Sequence, residues 1–175
     1  RMKRLFDIFF SLSGLIILSP IIIITALVIK LEDRGNVLYR ANRVGLFGVS
    51  FTMYKFRSMQ GYAASLPPTR ARTNDPRLTR VGRLLRKYSI DEIPQLFNVL
   101  KGEMSIVGPR PYYPDELEQQ LKKYKSKKIL LNDVISVKPG ITGFWQVSGR
   151  SSVNFDKRIE MDASYARKKS ILLDV

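Results

Sequence analysis

Asp91 and Glu92 stand side by side in the run Arg86-Lys87-Tyr88-Ser89-Ile90-Asp91-Glu92-Ile93-Pro94-Gln95, between a strongly basic segment and an apolar one. The chain contains no His and no Cys. Imidazole bases, thiolate nucleophiles and Cys/His metal centres are therefore excluded, and catalysis must use carboxylates, Lys, Tyr, Ser or an oxygen-ligated cation. The two carboxylates also have a structural reading. Ser89-x-x-Glu92 matches a capping box, and Asp91 in a first turn is what a helix dipole favours. The readings are compatible, because a helix N-terminus that keeps Asp91 ionised also favours an incoming phosphate.

Other cations are spaced to join them. On a strand over 51–56 the period of two places Met53, Lys55 and Arg57 on one face, so two cations lie side by side, able to straddle adjacent phosphates or to form a solvated basic face. Arg110 is held between Pro109 and Pro111, and a guanidinium on so fixed a backbone suits phosphate as well as a plain turn. The run from Lys138 to Arg150 alternates turn residues with a short apolar strand and ends on another guanidinium; its Trp145 fits a core or an interfacial anchor equally. Thirty Lys and Arg against fifteen Asp and Glu leave a net charge of +15, a field that concentrates nucleic acid, anionic lipid or nucleotide phosphates. No zinc pattern, RNA-binding aromatic signature or recognition-helix pair accompanies it, so nucleic acid is not expected as a partner.

The elements that must hold these groups form an α+β arrangement, helix-rich with a small β-hairpin. From Leu5 to Ile29 the only charged residue is Asp7. Such a stretch seeks lipid. Pro20 divides it into arms of roughly 22 and 14 Å, each short of the ~30 Å hydrocarbon core. Arg1, Lys3 and Arg4 precede the block and Lys30, Arg34, Arg40 and Arg43 follow it, so both ends look cytoplasmic. A re-entrant hairpin and a kinked spanning helix both remain open. The division expected is a membrane helix over 1–31 and a globular domain over 32–175. In the latter, strands over 37–44 and 51–56 flank Gly45-Leu46-Phe47-Gly48, and a surface loop runs over 60–76. A basic amphipathic helix follows over 77–88, then a helix over 89–101 stopped by Gly102, a strand over 104–107, a polar helix over 115–128, and a last helix over 154–168 carrying Asp156, Glu160 and Asp162.

Several motifs together resemble the bacterial sugar transferase family, the monotopic polyprenyl-phosphate hexose-1-phosphate transferases. They are the Lys-Arg-Leu-Phe-Asp opening at Lys3, Ser19-Pro20, Tyr54-Lys55-Phe56-Arg57-Ser58-Met59, Asp91-Glu92-Ile93-Pro94-Gln95, Val107-Gly108-Pro109-Arg110-Pro111 and Lys138-Pro139-Gly140-Ile141-Thr142-Gly143. The resemblance implies a re-entrant membrane helix bent at Ser19-Pro20 and a catalytic domain on the cytoplasmic face of the bacterial inner membrane. It implies that Asp91 attacks the sugar-bearing phosphorus of a UDP-sugar, releasing UMP, and that polyprenyl phosphate then takes the sugar phosphate from the aspartyl adduct. Glu92 would bind Mg²⁺, and Lys55, Arg57, Arg86, Arg110, Arg150 and Asp162 would bind substrate. Membrane lipid is an implied partner, and a homo-oligomer is compatible with the same reading. The wording from Phe144 to Arg150 is closer to members using glucose or galactose than to those using amino sugars.

Overall fold

Pro20 lacks a backbone donor and costs little in a helix only where that donor would be unused, in the first turn. The chain obeys this. A computed structural model describes residues 2–61, 75–123, 128–143, 155–168 and 174, and in it α1 spans Met2–Ile17 and α2 spans Ser19–Asp33, with Pro20 in the first turn of α2. The two helices are bent by 61°. The Ser19 hydroxyl donates to the Ile16 carbonyl at 2.8 Å, satisfying one acceptor freed at the break. Among the described residues no single helix is long and apolar enough to cross a membrane, while α1 and α2 together meet that requirement. α1 buries polar side chains and turns apolar ones outward, whereas α2 buries Ile29 against Phe56 and Leu85 while other apolar side chains face outward. Leu5, Phe9, Ile17, Ile24 and Leu31 point outward, while Asp7 is only 2% exposed and Ser11 is buried.

Polar contacts fasten α1 to the rest of the molecule. Asp7 accepts from the Ser105 hydroxyl and the Ile106 amide, each at 2.9 Å. Arg4 donates to the Val99 and Leu100 carbonyls, and Lys3 to the Val107 carbonyl and to Asp174. A side chain at Gly14 would meet Leu96 at 3.3 Å, so the lack of one lets α1 lie close to the helix that follows the dyad.

The hairpin forms as expected, with β1 over Leu38–Val44 antiparallel to β2 over Ser50–Phe56. Ala41 and Met53 on its inner face pack on Val99 and Met104. α3 covers Arg80–Lys87 and begins later than periodicity indicated, because Thr79 caps it, accepting from the Gly82 amide at 2.8 Å. α4 covers Gln95–Lys101 and ends at Gly102, whose φ of 87° is the left-handed stop that glycine allows. β3 over Ser105–Val107 pairs in parallel with β4 over Gly140–Thr142. The polar helix expected over 115–128 is α5, Pro114–Lys123, and a separate α6 occupies Lys128–Ile135. Val134 of α6 packs on Tyr112 and on Ala163 of α7, which spans Phe155–Lys168. Most of the expected loop over 60–76 lies outside the described residues.

The helix expected over 89–101 is not continuous. Ser89 has φ 57° and ψ 22° and its side chain makes no cap, residues Ile90–Glu92 form a 3-10 turn, and α4 starts only at Gln95. Pro94 is the cause. It cannot donate to Ile90, so bonds tighten to three-residue spacing, with Ile93 donating to Ile90 at 3.2 Å and Phe97 to Pro94 at 3.1 Å. The capping box is therefore absent.

Candidate functional site

Asp91 and Glu92 sit in this 3-10 turn, preceded by a left-handed serine, a conformation costing roughly 1–2 kcal/mol and concentrated at functional sites. Two anchors fix the turn. Asn98 on α4 donates to the Thr52 carbonyl at 2.7 Å and accepts from the Tyr54 amide at 3.0 Å, so α4 is pinned to the backbone of β2. On the other side, α3 presses Gly82 onto the Ser58 carbonyl so closely that an added Cβ would lie 1.9 Å away. The Arg86 guanidinium then donates through Nε to the Ser58 hydroxyl at 2.9 Å.

These anchors gather four of the expected residues. Lys55 on β2 donates to Glu92 Oε1 at 2.6 Å. Asp91 is 6% exposed, and that burial raises its carboxyl above the usual aspartate range; the Lys55 and Arg86 charges oppose the rise and the Glu92 charge adds to it. The result is a dehydrated carboxyl group whose charged form is favoured by Lys55 and Arg86. Helix-terminus stabilisation, expected from a capped helix at Ser89, gives way to these side-chain charges.

Arg57 takes a different course. β2 ends at Phe56, and Arg57 just beyond it forms an ion pair with Asp33 at the end of α2. Backbone pairing continues to Arg57, whose amide donates to the Val37 carbonyl at 2.9 Å, and the Asp33 carboxylate takes up its guanidinium.

Arg110 and Asp162 meet in a second group. Gly108 donates to the Thr142 carbonyl at 2.9 Å and Gly140 to the Pro109 carbonyl at 2.8 Å, so β3 and β4 hold the proline-flanked turn at closest backbone approach. An added Cβ on Gly140 would lie 2.1 Å from the Gly108 nitrogen. Behind the turn, the Tyr112 hydroxyl donates to Asp162 Oδ2 at 3.0 Å. Asp162 is 1% exposed, and burial pushes its carboxyl up to about 7 against the pull of Tyr112, Arg110 and Arg158. It thus supports the Arg110 turn from inside. Arg150 lies outside the described residues.

Asp33, Ser58 and Tyr112, which orient Arg57, Arg86 and Asp162, escaped sequence reasoning. Each is an ordinary polar residue whose role depends on contacts distant in the chain. Arg43 was also missed as a site residue, although strand alternation with Ala41 put it on the inner face of β1.

The Asp91–Glu92 dyad offers hard oxygen donors. Among the described residues no three acidic groups gather into a cage. Such a donor set fits a cation like Mg²⁺, which uses one or two carboxylates and completes its shell with water and substrate phosphate.

The bacterial sugar transferase family model matches residues 1–175. Undecaprenyl-phosphate galactose phosphotransferase of Salmonella typhimurium is 42% identical over 189 residues, covering 99% of this chain and 38% of that protein. Exopolysaccharide production protein ExoY of Sinorhizobium fredii is 39% identical over 188 residues, covering 99% and 80% respectively. UDP-glucose:undecaprenyl-phosphate glucose-1-phosphate transferase of Escherichia coli is 38% identical over 182 residues, covering 99% and 38%. The chain thus spans well under half of two of these relatives and most of the third. It belongs to the bacterial sugar transferase family.

Proposed function

We propose that this chain transfers hexose 1-phosphate from a UDP-sugar to polyprenyl phosphate, releasing UMP, as a membrane step of bacterial glycan assembly. The observation that carries the reading is the buried Asp91, flanked by Lys55, Arg86 and Glu92. An Asp91 oxygen attacks the sugar-bearing phosphorus, the bond from that phosphorus to the bridging oxygen breaks, and UMP leaves with the bond electrons. An oxygen of polyprenyl phosphate then attacks the same phosphorus and the bond to Asp91 breaks, restoring the carboxylate. Splitting the displacement lets one site serve a soluble donor and a lipid acceptor in turn. Lys55, Arg86 and Arg110 supply fixed positive charge for the phosphoryl oxygens. Glu92, which accepts from Lys55 through one oxygen, would hold Mg²⁺ together with Asp91. When bound, the ion neutralises charge on the diphosphate.

Residues 1–31 serve as a re-entrant membrane helix, with residues 32–175 as the catalytic domain on the cytoplasmic face of the inner membrane. The outward apolar faces of α1 and α2 and the bend between them support that placement. The test is a single turnover without acceptor. UDP-hexose and Mg²⁺ should yield about one UMP per site and a sugar-phosphoryl protein, and Asp91→Asn should abolish both this and lipid-linked product. Full turnover by Asp91→Asn would overturn the assignment.

A further inference from the structure

Arg43 is a charged residue on the core face of the hairpin. The register pairs Tyr39 with Lys55, Ala41 with Met53 and Arg43 with Phe51, and residues directly opposite share a face. Arg43 is 6% exposed, and its Nε and Nη1 atoms make no hydrogen bond. The Tyr113 ring covers it, with the guanidinium carbon 3.1 Å from the ring centroid. Among the described residues no carboxylate pairs with it. Burial and the nearby Arg110 both destabilise its charge. A cation so placed costs stability, which the Tyr113 ring offsets only in part.

Its field falls on the hydroxyls of two tyrosines. Tyr39 and Arg43 lie on either side of Ala41 on one face of β1, and the Tyr113 ring packs against that face. Burial works to raise the Tyr113 hydroxyl, but the Arg43 guanidinium beside it prevails and holds it below the usual phenol range. Tyr39 is exposed and Tyr113 half-buried, so a ligand can reach both. Tyr39 stands directly across from Lys55 and senses the Arg86 charge, and Lys55 acts on Tyr113 as well. The pair therefore bridges the dyad cluster and the Arg110 turn.

We propose that the hydroxyls of Tyr39 and Tyr113, charged from beneath by Arg43, form a second phosphoryl-binding position between the Asp91–Glu92 dyad and Arg110, holding the phosphoryl group next to the one under attack. This rests on the function proposed above, in which the neighbouring group is the phosphate that departs as UMP. A phosphoryl oxygen accepts hydrogen bonds only, and both hydroxyls can turn outward to donate to it. Arg43 then acts as a positioning residue, strengthening the Tyr113 donor without touching the ligand.

The test compares UMP with uridine by calorimetry on the full chain and its Tyr39→Phe, Tyr113→Phe and double variants. The rings remain, so the stack on Arg43 survives. Each hydroxyl removed should weaken UMP binding about tenfold, as expected for a hydrogen bond to a charged group, with uridine affinity unchanged. Arg43→Lys should retain part of the UMP affinity that Arg43→Met loses. UMP binding within twofold of wild type in the double variant overturns the inference, as does wild-type protein that binds no UMP. Hydroxyl-dependent UMP binding by a protein that transfers no hexose phosphate leaves this position standing and removes the proposed reaction.

Discussion

Gly82→Ala sets two effects of opposite sign against each other. Alanine in a helix interior is favoured over glycine by about 1 kcal/mol, so propensity alone makes the variant more stable. The structure opposes this, since the new Cβ would lie 1.9 Å from the Ser58 carbonyl oxygen, and contacts under 3.0 Å are essentially never seen. Relief requires α3 to move by about 1.1 Å from the segment after β2. That carbonyl also accepts from the Thr79 amide at 3.1 Å, so the movement strains the cap of α3. Overpacking costs about 1–3 kcal/mol and the lost backbone bond about 1 kcal/mol, leaving a net destabilisation of about 2 kcal/mol. Unfolding in detergent should come about 4–8 °C earlier. The catalytic effect should be larger, because Arg86 rides on α3 and acts on Asp91, and a displacement near 1 Å can cost about 100-fold in rate. UMP release and differential scanning fluorimetry measure the two. Gly61→Ala is the control, since nothing lies within 4 Å of a Cβ there. A Gly82→Ala protein of wild-type rate and unchanged or raised unfolding temperature refutes the argument.

Three further outcomes are expected. Because burial raises the Asp91 carboxyl, single-turnover UMP release should fall on the acid side at a pH above that of an ordinary aspartate, and Lys55→Gln, which removes an opposing charge, should move that limb higher still. Asp162, raised to about 7, binds its proton more tightly folded than unfolded, so its share of stability is present below the unfolded aspartate range and is lost as pH rises towards and through 7. Asp162→Asn, which cannot ionise, should flatten the fall in unfolding temperature between pH 5 and 8; an unchanged slope excludes Asp162 as its source. Chelation with EDTA should stop turnover and readdition of Mg²⁺ restore it, with Glu92→Gln needing more of the ion; full activity after exhaustive chelation excludes the metal.

Local rules reached the hairpin, the Gly102 stop and the break at Pro20, because each depends on residues within a few positions. Pro94 could have been read the same way. Its missing donor forbids a continuous helix over 89–101, but the capping-box match at Ser89 and Glu92 concealed it. The cations divide similarly. Lys55 was found because its strand is regular as far as Phe56, whereas Arg57 lies one residue beyond and answers to Asp33, twenty-four positions earlier. Asp162 meets Tyr112 across fifty positions, and no periodicity encodes such a pairing.

The contacts of α1 bear on how a soluble donor and a lipid acceptor could meet at one carboxylate. Arg4 holds the Val99 and Leu100 carbonyls on α4, the helix that follows the dyad. Asp7 holds Ser105 and Ile106 on β3, and Lys3 holds the Val107 carbonyl just before the Arg110 turn. One face of one helix thus fixes both halves of the site. With its opposite face apolar and outward, α1 in the proposed membrane placement would set the height of Asp91 and Arg110 together. Polar groups buried this way specify a single docking register, since a shift by one residue would leave the Asp7 carboxylate and the Ile106 amide without each other. Under the proposed function the acceptor phosphate is confined to the headgroup layer, so a fixed height would replace a search in three dimensions with one in two, and the inward polar residues of α1 would hold that height constant.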